Sequence, residues 1–287
     1  MKILGKGHKG VVVATAADVV EKYYISRSEW QKEKTQLTFL AKIQRRGFDL
    51  GIMIPKLRDS AEGKWEIASQ VYGYRNTMER LPGITAARGI TDKNVSTVGA
   101  NLGKLLFTLH TASKEYQLGW TAQFGTSDNL YKHIADEKVA AIIQDEPDQH
   151  VVQQTRGAAS YLAREVPEVR STYALSHLDL NLNNILISTD GSITGLVDWG
   201  DFGITNPSLS LYQLATEPDL WPYIQTHYEA AGGTIDLGIV YAAATIHLAW
   251  APVICKKLAL PLAPHESQKH FQMMYENFTT SAKSNLI

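Results

Sequence analysis

Only one cysteine, Cys255, stands among 287 residues, so the chain can close no internal disulfide and can build no cysteine-based zinc cluster. A dominant charge is also missing: 28 basic side chains face 29 acidic ones, which leaves no global field to draw in nucleic acid or an anionic membrane surface. No apolar targeting core follows Met1-Lys2, which leads directly into glycine-rich sequence. The longest apolar run, Ile239 to Cys255, carries Tyr241, Thr245, His247 and Pro252 and reads as a buried helix, not a membrane span. Internal repeats and low-complexity tracts are absent too. With 44% apolar residues the chain can bury a sizeable core, in one large domain or two unequal lobes. These absences point to a soluble cytoplasmic protein with neither nucleic acid nor membrane as partner.

The stretch from His177 to Trp199 is the most informative. Asp190-Gly191 lies between two runs of alternating apolar residues, which predicts a hairpin that Asn184 opens and Asp198 closes, returning both side chains to one end. Asp179, a few residues before Asn184, then lies on the loop entering that end. Two carboxylates and one amide oxygen make a hard-oxygen set suited to magnesium, which keeps several waters and takes only one or two protein carboxylates beside substrate phosphates. Asn184 and Asp198 suffice as ligands, and Asp179 is left to receive a substrate hydroxyl's proton.

Near the amino terminus, Gly5, Gly7 and Gly10 form a G-x-G-x-x-G string. A dinucleotide fingerprint would run into a helix, but Val11-Val12-Val13 favours a strand. A Walker loop would need Lys and Ser or Thr after the last glycine, which Val11-Val12 does not supply. A glycine hairpin laid over phosphates is what remains. The next strand, Val19 to Ile25, has Lys22 in its middle, and Ser26-Arg27-Ser28-Glu29 resembles a capping box. The helix that follows puts Trp30, Glu33, Leu37 and Leu40 on one face. Glu33 on an apolar stripe needs a cationic partner, and Lys22 is the natural one, with Glu29 the alternative carboxylate if the register slips.

Farther on, Trp65 to Ala68 and Val71 to Tyr74 suggest strands, and Thr77 to Gly83 must turn at Pro82-Gly83. Asn94 to Ala112 has a helical period, with His110 as packing or hydrogen-bonding support. The segment from Gln117 to Arg170, which carries Trp120, Phe124, Tyr131 and Tyr161, reads only as mostly helical. After the hairpin, a helix is expected from about Leu209 to Thr216 and a loop over Glu217 to Pro222.

His177-x-Asp179-x4-Asn184 followed by Val197-Asp198-Trp199 resembles the catalytic and metal-binding loops of the aminoglycoside phosphotransferase and choline kinase family, relatives of the protein kinases. The resemblance implies that Asp179 is the catalytic aspartate and that Asn184 and Asp198 bind magnesium. It also implies that Glu79, Arg80 and Leu81 form the hinge whose backbone binds the adenine edge of ATP, with GTP not excluded. The expected fold is α+β and bilobal, protein-kinase-like: a small β-rich lobe with one long helix over 1–82, and a larger mainly helical lobe over 83–287. Two positions depart from the family pattern. Leu178 stands where Gly is usual, and Ser210-Leu211 where Asp-Leu-Ala is usual.

The expected function is ATP-dependent transfer of a γ-phosphoryl group to a small-molecule hydroxyl. A protein Ser/Thr kinase is a weaker alternative, because no Arg follows His177, no Ala-Pro-Glu appears and little chain separates Asp198 from the helix near Leu209. A non-catalytic or regulatory nucleotide-binding module is the other alternative. Asp201, Glu217, Asp219 and Trp221 are the nearest candidates for the acceptor-pocket wall. Acidic groups beside an aromatic ring favour an amino sugar, aminoglycoside or amino-alcohol over a neutral sugar or nucleoside.

Overall fold

The computed structural model describes residues 2–7, 9–112, 129–166, 174–257 and 264–284, together with Tyr116 and Gly119. Trp120, Phe124 and His8 lie outside the described residues. The chain forms two compact units, residues 1–98 with 181–202, and residues 99–180 with 203–287.

The first unit is built on an antiparallel sheet of β1 (Lys2–Lys6), β2 (Gly10–Ala16), β3 (Val19–Tyr24), β4 (Leu57–Ile67) and β5 (Gln70–Glu79), in the order β1-β2-β3-β5-β4. Between β4 and β5, Ala68 and Ser69 turn at φ of 49° and 64°, and such a left-handed pair matches the twist of the strands it joins. The long helix α1 (Arg27–Gln44) begins at Ser26, whose side chain accepts the Glu29 amide. Its Trp30, Glu33, Leu37 and Leu40 stripe is buried. Burying Trp30, Leu37 and Leu40 contributes roughly 1.5 to 3 kcal/mol apiece. A second cluster of Val11, Val13, Tyr23 and Tyr72 packs against Trp65 and Ile67. Alternation along β3 therefore divides its residues between two buried faces, with Lys22 and Tyr24 on the same one.

Later strands are β6 (Ile84–Thr85), β7 (Ala174–His177), β8 (Ile185–Ile187), β9 (Ile193–Leu196) and β10 (Phe202–Thr205). The β8–β9 pair is the hairpin turned at Asp190-Gly191, where Gly191 has φ of 86°. The boundary expected after residue 82 is displaced for a physical reason: β6 pairs with β8, Met53 bridges Gly195, and Thr194 Oγ1 donates to the Pro82 carbonyl at 2.8 Å. Those bonds draw 83–98 and 181–202 into the first unit.

In the second unit the helix Leu237–Lys257 packs against Gln149–Glu165 and Pro264–Ser284. Its length and composition would allow a membrane crossing. Instead Ile239, Val240, Ala242 to Ile246, Ala249 and Val253 are buried within the unit. The helix Val95–Ala112 buries Val98, Leu102, Leu105, Leu106 and Leu109. Two expectations need correction here. The single helix expected over 209–216 is two short turns, Pro207–Ser210 and Tyr212–Ala215, the first capped by Asn206. The loop expected through Pro222 gives way at Trp221 to a helix, Trp221–Ala230, because proline is well tolerated in a first turn, where no partner awaits its missing N–H.

Candidate active site

The glycine hairpin is closed by Gly7, whose amide donates to the Gly10 carbonyl at 2.9 Å. Gly10 is required by close approach: a Cβ there would lie 1.9 Å from the Tyr23 carbonyl oxygen. Gly5 and Gly7 face open space. A side chain would fit there sterically, so their use is to leave backbone amides approachable.

Lys22 is 7% exposed, and its Nζ lies 2.8 Å from both Glu33 Oε2 and Asp198 Oδ1. Burial alone would push the ammonium pKa down, but the Glu33 and Asp198 carboxylates outweigh it and hold the pKa above its ordinary value. Glu29, the alternative carboxylate, lies 3.6 Å from Lys9. Tyr24 donates to Glu33, Asn76 Nδ2 donates to Tyr24 Oη at 3.2 Å, and Ser60 donates to Asn76 Oδ1 at 2.8 Å. Burial and the Glu33 carboxylate keep the Tyr24 phenol protonated, with its pKa well above the ordinary value. The Lys22 and Glu33 charges are therefore buried with hydrogen-bonded partners, the condition under which such a pair is tolerated. Tyr24 and Asn76 were not among the residues singled out in the sequence. Tyr24 shares the β3 face of Lys22, and Asn76 is opposite Lys22 in register.

Asn184 is buried, and its carbonyl accepts the Val197 amide at 2.9 Å, so Asn184 and Asp198 flank the same end of the β8–β9 hairpin. Asp198 occupies the left-handed region, φ 59° and ψ 57°, ahead of the 3-10 turn Trp199–Asp201. Among the described residues no group of three or more His, Cys, Asp or Glu is placed to hold a metal. One carboxylate and one amide oxygen suit magnesium with water and phosphate completing the shell, and do not suit a structural zinc.

Asp201, expected at the acceptor wall, is bound within the first unit by Lys9 and Lys32. Burial would raise its carboxyl, but the two ammonium groups outweigh that and hold it well below the usual carboxylate range. Its charge is already matched, which makes it a structural anchor between the glycine hairpin and α1. At the expected hinge residues, Glu79 N donates to Lys56 O at 3.0 Å and Arg80 N to Asp18 O at 2.9 Å. Leu81 is buried, with its Cδ1 against Gly195. Of the three amides, Leu81 is the one that these two backbone bonds do not use.

In the second unit Asp179 Oδ1 accepts from Gln213 Nε2 at 2.9 Å. His177 and Leu178 are buried, and Leu178 joins the core with Leu209 and Tyr212. The departure at 178 is thus a packing choice. The departure at 210 is a hydrogen-bonding one. Ser210 Oγ donates to the Pro207 carbonyl at 2.7 Å and lies 3.1 Å from His110 Nε2, whose Nδ1 is 2.9 Å from Tyr228 Oη. Because the serine proton is used on Pro207, His110 donates from Nε2 and accepts at Nδ1 from the tyrosine, which is a neutral imidazole. Burial pushes the His110 pKa down to about 3, in keeping with that tautomer. Glu217 and Asp219 are side by side in the turn before the Trp221–Ala230 helix, and burial raises the Glu217 carboxyl. Trp221 is buried and donates from Nε1 to Tyr241 Oη at 3.1 Å, so it packs in the core.

Fold and side chains together define a phosphotransferase scaffold of the protein-kinase type. The model of the Phosphotransferase enzyme family matches residues 27–239, and the chain belongs to that family. No curated protein matches it. Among solved structures, the GDP and kanamycin complex of APH(2'')-IIIa is similar at 16% identity and a TM-score of 0.67, covering 97% of this chain and 93% of that one. A thermostable APH(4)-Ia mutant with AMP-PNP and hygromycin B follows at 15% identity and a TM-score of 0.65, covering 96% and 93%. Choline kinase LicA from Streptococcus pneumoniae gives 15% identity and a TM-score of 0.60, covering 98% and 95%.

Proposed function

We propose that the protein transfers the γ-phosphoryl group of ATP to the hydroxyl of a small molecule in the cytoplasm. The observation that carries this reading is the buried Lys22, held at 2.8 Å by both Glu33 and Asp198 beneath a glycine hairpin. Charge in phosphoryl transfer spreads over nonbridging oxygens, so a fixed ammonium and approachable backbone amides supply most of what the reaction needs. The first unit contributes Gly5, Gly7, Gly10 and Lys22 toward phosphates and Glu79 to Leu81 toward the base. Asn184 and Asp198 would hold magnesium, whose role when bound is to neutralise phosphate charge. From the second unit, Asp179 orients the acceptor hydroxyl and takes its proton as the acceptor oxygen bonds to phosphorus. The bond to the β-phosphate oxygen breaks, and ADP leaves.

The acceptor is read as a hydroxyl compound that also bears an amino group. Similar structures hold kanamycin or hygromycin B, or are named for choline, and Glu217 with Asp219 places two carboxylates near each other in the second unit. Asp201 and Trp221 do not support this choice, one being bound by lysines and the other packed in the core. A panel of alcohols with magnesium ATP tests the reaction. Label should enter an amino-bearing alcohol, whereas label in protein alone, or nucleotide binding without turnover, would overturn it. Thermal shift with magnesium nucleotide present tests the acceptor class, since a ligand of the native state raises stability by mass action. Stabilisation by neutral sugars or nucleosides alone would remove the amino requirement and leave the phosphotransferase reading in place.

A further inference from the structure

Lys138 is a buried ammonium for which the reaction described above has no use. It is 2% exposed and ends a π-helical turn, His133–Lys138. Such turns are rare and concentrate at functional sites. Its Nζ donates to Tyr212 Oη at 3.2 Å, lies 2.9 Å from His247 Nδ1, and stands 4.9 Å and 4.7 Å from the centres of the Tyr212 and Trp250 rings. All of these partners are uncharged. The carboxylate whose field acts on Lys138 is Asp179. Burial pushes the Lys138 pKa down to about 7, and Asp179 opposes that fall. A buried ammonium is costly, so its retention calls for a use.

Gln213 follows Tyr212 directly in the chain, and its amide binds Asp179 Oδ1 at 2.9 Å. Its own Oε1 is buried and has no hydrogen-bond partner among the described residues. Turning the amide over would satisfy nothing, because it would set Oε1 against the Asp179 carboxylate. The fold therefore accepts an orphaned carbonyl to keep the N–H on Asp179, a local conflict of the kind expected at functional positions.

We propose that Gln213 and Lys138 are positioning residues for Asp179, Gln213 by fixing the carboxylate through Oδ1 and Lys138 by anchoring Tyr212, the residue that precedes Gln213. This rests on Asp179 being the group that receives the acceptor proton. The titratable groups facing Lys138 are Asp179 from the loop after β7, Tyr212 from its short helix and His247 from the Leu237–Lys257 helix. His133, which contacts Glu137 at 2.8 Å, acts on His247 from the π-helical turn. Burial, then Lys138 and His133, push the His247 pKa well below its ordinary value, which leaves it a neutral acceptor for the Lys138 ammonium.

The test has a kinetic arm and a spectroscopic arm on the full chain. Gln213→Leu and Lys138→Met should each lower kcat by roughly 10- to 100-fold, the scale of a misplaced catalytic group, while nucleotide Kd and acceptor KM stay within about twofold. Lys138→Arg, which keeps the charge, should recover part of the loss. Independently of activity, the Lys138 15Nζ titration should have its midpoint near 7 and move to lower pH in Asp179→Asn. The Gln213 side-chain amide resonance should shift in that same variant. A Lys138 midpoint and a Gln213 resonance that Asp179→Asn leaves in place, or rates unchanged in both folded variants, would overturn the proposal. If no alcohol is phosphorylated while the resonances move, the coupling stands and the phosphotransferase reading falls.

Discussion

The Lys22 ammonium and the Asp198 carboxylate meet at 2.8 Å across a sequence separation of 176 residues. A cation assigned to phosphate and an anion assigned to metal thus neutralise each other within one unit. Bound magnesium nucleotide would offer each of them a new partner of the opposite charge. Nucleotide affinity should therefore include the exchange of this bond, and Lys22→Met should weaken the dependence of binding on magnesium as well as the binding itself. Isothermal titration at several magnesium concentrations measures both, and an unchanged magnesium dependence counts against the coupling.

Lys22 and Glu33 should behave as one unit in stability. Lys22→Met or Glu33→Gln alone removes one side of a buried pair, a loss of about 3 to 5 kcal/mol, and the double variant should cost hardly more than the worse single one. Urea denaturation of the four proteins completes the cycle. Strict additivity would show that the 2.8 Å contact carries no coupling energy.

Asp179→Asn should abolish transfer and leave nucleotide Kd nearly unchanged, because Asp179 is assigned to the acceptor. Asp198→Ala should weaken magnesium-dependent nucleotide binding together with rate. Rapid-quench kinetics and equilibrium binding on the same preparations separate the two outcomes. Near-normal turnover in Asp179→Asn would remove that residue from the mechanism.

His110 gives a prediction with a definite pH window. Its pKa in the folded chain, about 3, lies below the unfolded value of roughly 6.5, so between those limits the unfolded chain binds the extra proton. The contribution of neutral His110 is fully present above about pH 6.5 and declines as pH falls toward 3. The stability of the wild-type protein relative to His110→Gln should therefore fall across this range, as measured by denaturation at fixed pH values. A difference that does not vary with pH would show that the imidazole is not held neutral.

Asp201 also loses its contribution as pH falls, but through ion pairing and not through burial. Lys9 and Lys32 outweigh burial and depress its folded pKa, so its stabilisation is present above the unfolded value of about 3.9 and is lost as pH falls through the folded one. Asp201→Asn should lower the melting temperature at pH 7, and the gap to wild type should close only below about pH 4. A gap already closed at pH 6 would place the titration elsewhere.

Local signals in the sequence were dense where neighbours along the chain decide the structure. Asp190-Gly191 announces its own turn, and the spacing of Trp30, Glu33, Leu37 and Leu40 places a carboxylate on the buried face of α1. Contacts between distant segments left no such trace. Nothing near Asp201 indicates that Lys9 and Lys32 will claim it, nothing near Ile84 foretells its pairing with Ile187, and a Ser-Leu pair does not reveal that Ser210 will accept from His110. Ala68 and Ser69 turn β4 into β5 without the glycine that usually marks such a turn. Trp221 looked like a pocket ring because an aromatic beside acidic residues carries the same letters whether it faces a ligand or the core.

Asp198 holds its charge at a backbone position, φ 59°, that aspartate, asparagine and glycine enter easily and most other residues resist. The substitutions this turn accepts with least strain are therefore ones that strip away the carboxylate. The backbone of the turn would not by itself protect the carboxylate here: a descendant with Asn or Gly at 198 could keep the turn while losing the anion beside Lys22. Under the proposed function, the residue at this one position would separate chains that keep the anion beside Lys22 from chains that keep only the turn.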